Sequence, residues 1–193
     1  MGMTINEHKE RTSRSYKLIL LFAMVSMFMM FAGLTSAFVV SKSRADWLKD
    51  FQLPTAFYIS TAVILSCSVT FHLAKKAIQK DNRSATTSFL LATFALGIVF
   101  VILQFVGFRQ IVDSGYFFTG SASSITTTFL YIVTIVHLAH LAGGLISLLI
   151  IIYNHFKQKY NSTQTLGIEL GAMYWHFLDF LWVYLFLFLY FFK

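Results

Sequence analysis

Five long blocks of apolar residues constrain the fold of this chain more than any other feature. They cover about residues 18–40, 55–74, 86–111, 125–153 and 171–192. A membrane-spanning helix needs about 20 consecutive, mostly apolar residues, so each block is long enough to cross a bilayer. The sequence therefore predicts an all-α integral membrane protein, a bundle of five transmembrane helices.

Composition and connector length argue against any additional folded part. Hydrophobic residues make up 57% of the chain and charged residues only 12%. The polar connectors are too short to fold by themselves, so we expect one transmembrane domain over residues 1–193. The first apolar block is longer than the apolar region of a signal peptide, which predicts a retained helix. Cys67 is the only cysteine and cannot form an internal disulfide.

The basic residues are distributed unequally between the two predicted sides of the membrane. Ten of the fifteen Lys and Arg residues lie in the N-terminal segment and in the second and fourth connectors. Cytoplasmic loops carry the excess of basic residues, which predicts a cytoplasmic N-terminus and a periplasmic C-terminus. These residues flank apolar spans and form no continuous patch. The formal net charge of +7 therefore does not indicate a nucleic-acid partner.

Ionisable residues inside the last two apolar blocks are the candidate functional residues. They are His137, His140, Glu169, His176 and Asp179. Such residues are costly in lipid and mark polar clusters or functional sites. They have the residue types of a metal or haem site, but also of a structural or proton-handling hydrogen-bond cluster. His137 is expected near mid-membrane and His176 near the cytoplasmic end of its helix, which favours the polar cluster over a metal site.

Two further groups of residues suggest contacts with other helices or with lipid. Ala139, Gly143 and Ser147 recur every four residues, a spacing that suits close helix packing. Trp175 and Trp182 are predicted to face lipid or an interface. We find no convincing set of catalytic residues in the sequence.

A pattern within the last two apolar blocks resembles a known family. In the fourth block it comprises Phe129, Tyr131, Thr134, His137, His140 and Gly143, and further on Glu169, Tyr174, Trp175, His176, Phe177, Asp179 and Trp182. This pattern strongly resembles subunit III of the haem–copper terminal oxidases, in the short five-helix bacterial form. Weaker similarities follow at Ser60-Thr61, at Ser66-Cys67-Ser68 and at Gly97, Phe100 and Gln104.

The resemblance implies a non-catalytic subunit of a proton-pumping oxidase that reduces oxygen to water. Subunit III holds no metal and no cofactor of its own; haem and copper are expected in partner subunits. The implied partners are oxidase subunit I, subunit II, a small subunit IV and bound phospholipid, in a bacterial inner membrane. The implied roles are to stabilise subunit I and to support proton uptake and sustained turnover.

The sequence departs from the family at two positions, and two alternative functions stay open. Met27 stands where the family usually has a carboxylate beside bound lipid, and Gly107 where an acidic residue often follows the glutamine. One alternative is a subunit III-like accessory protein of a nitric oxide reductase. The other is a free-standing b-type cytochrome that would use His137 or His140 together with His176.

Overall fold

The computed structural model describes residues 5–44, 46–48, 51–120, 123–161 and 164–192. These residues contain five long helices and one 3₁₀ turn, Ser41–Ser43. The helices are α1 (Ile5–Val40), α2 (Thr55–Gln79), α3 (Arg83–Asp113), α4 (Ile125–Phe156) and α5 (Leu166–Phe192). All five are long and apolar enough to cross a membrane, which confirms the predicted fold class and a multi-pass membrane protein.

The helices extend beyond the apolar blocks that predicted them. α1 begins at Ile5, and its polar first turns include the pair Glu10 and Arg14, four residues apart. α5 begins at Leu166, so that Glu169 lies in its first turn. Hydrophobic length indicates only the part of a helix that faces lipid. Backbone hydrogen bonds continue the helix into polar sequence, where side chains and water can satisfy its ends.

Local side-chain bonds fix where several helices begin. The Asn82 side chain accepts a hydrogen bond from the Ala85 amide at 3.1 Å and caps α3. Ser124 and Thr127 form a reciprocal capping box at the start of α4. Pro54 immediately precedes α2, where its missing N–H leaves no helical bond unmade.

Helices α2 to α5 form a four-membered ring in which each helix packs on the next and α5 packs back on α2. α1 lies outside this ring, against α5 and α4. α5 is the most buried helix and α1 the least. Two described side chains of α1 are fully buried: Phe31, against Val133, Leu181 and Leu185, and Phe38, in the main core.

Large aromatic side chains fill the space inside the ring. Trp182 packs edge-on against Phe57 and Phe100, with ring centroids 5.7 and 5.1 Å apart. Trp175 packs similarly against Phe71 at 6.1 Å. Edge-to-face pairs of this kind add about 0.5–1.5 kcal/mol each beyond the area that they bury. This aromatic core sets the positions of the polar residues described next.

Candidate functional site

One polar cluster lies where α2 and α5 meet. The hydroxyl of Ser68 is 2.7 Å from Nδ1 of His176, within hydrogen-bond distance. The same ring nitrogen is 4.0 Å from Oδ2 of Asp179, which is too long for a hydrogen bond. His72 approaches from α2, with 6.4 Å between the two imidazole centroids. The structure thus places His176 and Asp179 side by side, and α2 adds Ser68 and His72 to them.

His176 and Asp179 differ sharply in exposure. The side chain of His176 is 36% exposed, whereas that of Asp179 is 4% exposed. Neither carboxyl oxygen of Asp179 has a hydrogen-bond partner among the residues that the structure describes. Burying a polar group without a partner costs about 2–7 kcal/mol, depending on the reference state. Asp179 therefore lowers the stability of the isolated chain at this position, which indicates that the protein needs the carboxyl for another role.

His137 lies elsewhere, inside the aromatic core. It is completely buried, and the rings of Phe31, Phe100 and Trp182 surround it at centroid distances of 6.4, 6.0 and 5.2 Å. Within the described part of the chain, neither ring nitrogen has a hydrogen-bond partner. An imidazole enclosed by uncharged rings is expected to be neutral, because nothing around it compensates a positive charge.

His140 and Glu169 face the outer helix α1. Nδ1 of His140 donates to the carbonyl of Val136 at 2.8 Å, and its ring packs edge-on against Phe31 at 5.7 Å. The Glu169 carboxylate accepts from the Lys17 ammonium at 2.6 Å and from the Thr165 hydroxyl at 2.8 Å. This ion pair joins α1 to the first turn of α5.

The five predicted residues therefore occupy three separate places. His176 and Asp179 share the contact between α2 and α5, His137 and His140 both contact the ring of Phe31, and Glu169 pairs with α1. His137 and His176 do not converge on a common point. Within the described ranges, no group of three or more His, Cys, Asp or Glu side chains has a geometry that could hold a metal ion.

The structure corrects the expectation that Trp175 and Trp182 face lipid or an interface. Both side chains are 1% exposed and belong to the core of the bundle. The indole N–H of Trp182 donates to the hydroxyl of Thr61 at 3.0 Å. Tryptophan suits a membrane interface because its ring is apolar while its N–H needs a partner; Thr61 supplies that partner for Trp182, whereas the N–H of Trp175 has none among the described residues.

The small residues of α4 lie at the surface of the chain. Ala139 and Gly143 are exposed, and a Cβ added at Gly143 would meet only the Tyr174 hydroxyl, at 3.7 Å. Close approach falls instead on the next residue, Gly144, where an added Cβ would lie 2.9 Å from Cδ1 of Leu178. On α4 the close approach to α5 is therefore at Gly144; on α5 it is at Gly171, where an added Cβ would collide with the side chain of Ile151.

Gly143 and Ser147 line a groove between α1, α4 and α5. The groove has a volume of about 590 Å³. Its walls are mostly apolar; in addition to these two residues they comprise Tyr16, Ile19, Leu20, Ala23, Met27, Ile150, Ile151, Tyr160, Gly167, Leu170, Gly171 and Tyr174. Burial raises the pKa of the Tyr160 phenol, which lies in the connector before α5. An apolar groove of this size on a membrane protein fits an alkyl chain.

Sequence reasoning missed the partners that other helices supply. Ser68 appeared in the sequence only within a weaker similarity to the family, and His72 lies four residues further along α2, on the same helical face. Lys17 and Glu169 are 152 positions apart, and nothing in the sequence pairs them.

At Gly107 the ring of Phe57 occupies the space that a side chain would need. Glycine, which stands here in place of the family's acidic residue, therefore leaves the space that Phe57 of α2 fills against α3.

Similarity to known proteins points to one family. The family model described as "Cytochrome c oxidase subunit III" matches residues 2–193. A cytochrome c oxidase subunit 3 from Spodoptera frugiperda is 33% identical over 144 residues, which cover 72% of this chain and 89% of that protein. The Drosophila yakuba protein of the same name is 33% identical over 140 residues, covering 72% and 50%. That from Petromyzon marinus is 31% identical over 143 residues, covering 74% and 51%. The chain thus spans about half the length of two of these three relatives.

Proposed function

Since the chain belongs to the cytochrome c oxidase subunit III family, we propose that it is the non-catalytic subunit III of a proton-pumping respiratory oxidase. Partner subunits of that complex reduce oxygen to water with their own haem and copper. The single observation that carries this proposal is the family match over residues 2–193. The five membrane-crossing helices support it.

The proposed mechanism is structural support within the membrane. Subunit I is the main proposed partner, with subunit II and a small subunit IV in the same complex. The outer faces of the bundle carry many exposed apolar side chains, such as Phe22, Phe105 and Phe180. Lipid or the apolar flank of a partner subunit can cover such surfaces. We assign proton uptake and sustained turnover to the complex, which this subunit stabilises.

The groove between α1, α4 and α5 is the proposed site for phospholipid. Its apolar walls suit an acyl chain, and Met27 keeps the wall apolar at a position where the family usually has a carboxylate. The ion pair of Lys17 and Glu169 joins two of the three helices that form the groove. A bound acyl chain would fill space that the side chains leave open, and so fix α1 against the rest of the bundle.

The groove can be tested with a pair of variants on the same helix. Ala23→Phe places a ring in the groove, whereas Ala37→Phe places one at an exposed position of α1. We expect the first variant to lower the phospholipid retained per complex, measured by mass spectrometry of extracted lipid, and the second to leave it unchanged. Equal lipid content in both variants would contradict the assignment.

Co-purification tests the function itself. An affinity tag on this chain should recover, from membranes of its own organism, a complex with haem–copper subunit I and oxygen-reducing activity. Recovery of nitric oxide reductase subunits instead would favour the alternative that the sequence left open. Recovery of this chain alone, with bound haem, would indicate a free-standing cytochrome.

The proposed location is the inner, or plasma, membrane of a bacterium. It rests on the resemblance to the short five-helix bacterial form and on five membrane-crossing helices. The relatives named above come from animals. Fractionation of cells that express the tagged chain checks this location.

A further inference from the structure

A layer of polar side chains crosses the middle of the helix ring. Two of its hydrogen bonds join different helices. The Gln104 amide Nε2 donates to the hydroxyl of Ser60 at 2.8 Å, and the Trp182 N–H donates to the hydroxyl of Thr61 at 3.0 Å. Helices α2, α3 and α5 thus contribute to this layer, and α4 contributes the groups described next.

Four polar atoms of the layer lack a partner among the described residues. They are Oε1 of Gln104, Oγ1 of Thr134, and both Nδ1 and Nε2 of His137. The exposed fractions of these residues are 0%, 1% and 0%, so bulk water does not reach them. In the interior of a membrane protein each such atom costs several kcal/mol, because lipid offers no hydrogen bond either. A buried polar group in a native protein is almost always hydrogen-bonded.

The register of α3 against α4 places Gln104 opposite Thr134, with His137 about one helical turn further along α4. On one side of the level of Gln104 and Thr134, the rings of Phe100 and His137 are 6.0 Å apart. On the other side, the Tyr131 hydroxyl donates to the carbonyl of Phe108 at 3.4 Å. The two helices run antiparallel, so Gln104 and Thr134 lie level with each other between these two contacts.

The unmet groups are complementary to water. Gln104 Oε1 requires a donor, and the Thr134 hydroxyl offers a donor and can accept. A neutral imidazole has one N–H donor and one acceptor nitrogen. A water molecule donates two hydrogen bonds and accepts two, and a buried water typically makes about three. One water between Gln104, Thr134 and one nitrogen of His137 satisfies three atoms, and a second water satisfies the other nitrogen.

We propose that the layer at Gln104, Thr134 and His137 binds one or two ordered water molecules between α3 and α4. An apolar ligand would leave all four atoms unmet. A metal cation is a poor fit, because none of these three side chains carries a negative charge to compensate it. The aromatic rings that enclose His137 supply no strong acceptor, so water is the ligand whose chemistry matches.

The bound water gives the layer a structural consequence. It links a side chain of α3 to two side chains of α4 by hydrogen bonds that a shift of one helical turn would break. Water-mediated bonds are nearly as favourable in enthalpy as direct ones. The water therefore adds a directional contact in the interior to the two polar contacts that join these helices elsewhere, Tyr131 with Phe108 and Thr87 with His155. This role belongs to the fold of the chain and holds whichever complex the chain joins.

A structure of the assembled complex, at a resolution that shows ordered water, tests the proposal directly. The expected result is a density peak within about 2.7–3.2 Å of Gln104 Oε1, Thr134 Oγ1 and one ring nitrogen of His137. A direct hydrogen bond between these side chains, with no peak, would overturn the proposal. So would an empty layer.

Variants test the coupling between the two helices. Thr134→Val and Gln104→Leu should each lower the fraction of the subunit that stays in the purified complex, because each leaves the water and the other side chain short of a partner. The double variant should lose less than the two single losses combined, because it removes the polar groups on both sides. Strictly additive losses would count against a shared water.

Thr86→Val is the matched control for Thr134→Val. Thr86 is also completely buried on a long helix, but its hydroxyl already donates to the carbonyl of Asn82 at 2.8 Å. Its effect should add to that of Gln104→Leu without coupling. Coupling of the same size with Thr86→Val would show that the coupling comes from general loss of packing, and would reject the shared water.

Discussion

Burial separates two side chains that the sequence places one helical turn apart, His176 and Asp179. His176 is partly exposed and its Nδ1 already has Ser68 as a partner. Asp179 is buried, and its carboxyl oxygens have no partner among the described residues. Asp179 is therefore not the hydrogen-bond partner of His176 Nδ1. Ser68 makes that bond.

A structural role for Asp179 predicts a clear order of two substitutions. Asp179→Asn should be mild, because the amide keeps the shape and breaks no bond with a described residue. Asp179→Leu should release more of the subunit, because the larger side chain overpacks a buried site and, unlike Asn, cannot accept a hydrogen bond from a partner subunit or water in the complex. The measurement is the amount of subunit III retained in the purified complex, together with initial turnover at raised pH.

The Asn variant also distinguishes structure from proton transfer. Asparagine cannot titrate, so a proton-handling role would slow initial turnover in both variants alike. An Asn variant that keeps its subunit but turns over as slowly as the Leu variant would refute the structural role. Ser68→Ala serves as a control, because it removes the hydrogen-bond partner of His176 Nδ1 and keeps the Asp179 carboxyl.

Among the helices, α4 presents two adjacent glycines to two different environments. Gly144 faces α5, where Leu178, Trp175 and Tyr174 would lie within 3.5 Å of an added Cβ. Gly143 faces the groove, where there is room. Adjacent residues of a helix point about 100° apart, so one glycine serves the packing of the chain and the other its outer surface.

Gly143→Leu and Gly144→Leu should therefore fail in different ways. Gly144→Leu should destabilise the chain itself, because a branched side chain meets the packed side chains of α5. Gly143→Leu should leave the chain folded but fill the groove, and so lower its retention in the complex while haem content persists. Protease resistance of the chain in membranes reports the first effect, and subunit content of the purified complex the second. Full retention of Gly143→Leu would mean that neither lipid nor a partner needs the groove.

For the whole molecule, the distribution of basic residues predicts the orientation in the membrane. Ten of the fifteen Lys and Arg residues belong to the side of the N-terminus. Because basic residues are retained in the cytoplasm, the N-terminus should be cytoplasmic and the C-terminus periplasmic. Reporter enzymes fused after residue 193 should be active only when the reporter works in the periplasm. A fusion that is active only as a cytoplasmic reporter would reverse this orientation.

The isolated subunit should be colourless. His137, His140 and His176 do not converge, so they offer no pair of ligands for one haem. Subunit III separated from the complex should show no haem absorption and no stoichiometric iron or copper. The intact complex from the same preparation, with its haem bands, is the control. A Soret band in the separated subunit would require another assignment.

The sequence by itself determined the number of spans, their approximate positions and the class of protein. Apolar length does this without tertiary information, because a helix in lipid must be about 20 apolar residues long wherever it packs. Motif residues such as His137, His176 and Asp179 also indicated the family from the sequence alone. Helix ends were less accurate, since the polar starts of α1 and α5 continue the helix without an apolar signal.

Only the tertiary structure decided which polar residues meet. Helical periodicity places His137 and His140 on a face of α4, but it cannot show that both rings contact Phe31 of α1. Nor can it pair Lys17 with Glu169 across the chain. The tryptophans show the same limit. Their amphipathic side chains suit a membrane interface, yet Trp182 is buried in the bundle and donates its N–H to Thr61. The reason is physical: spacing fixes the direction of a side chain from its own helix, whereas its neighbours depend on how the other helices pack.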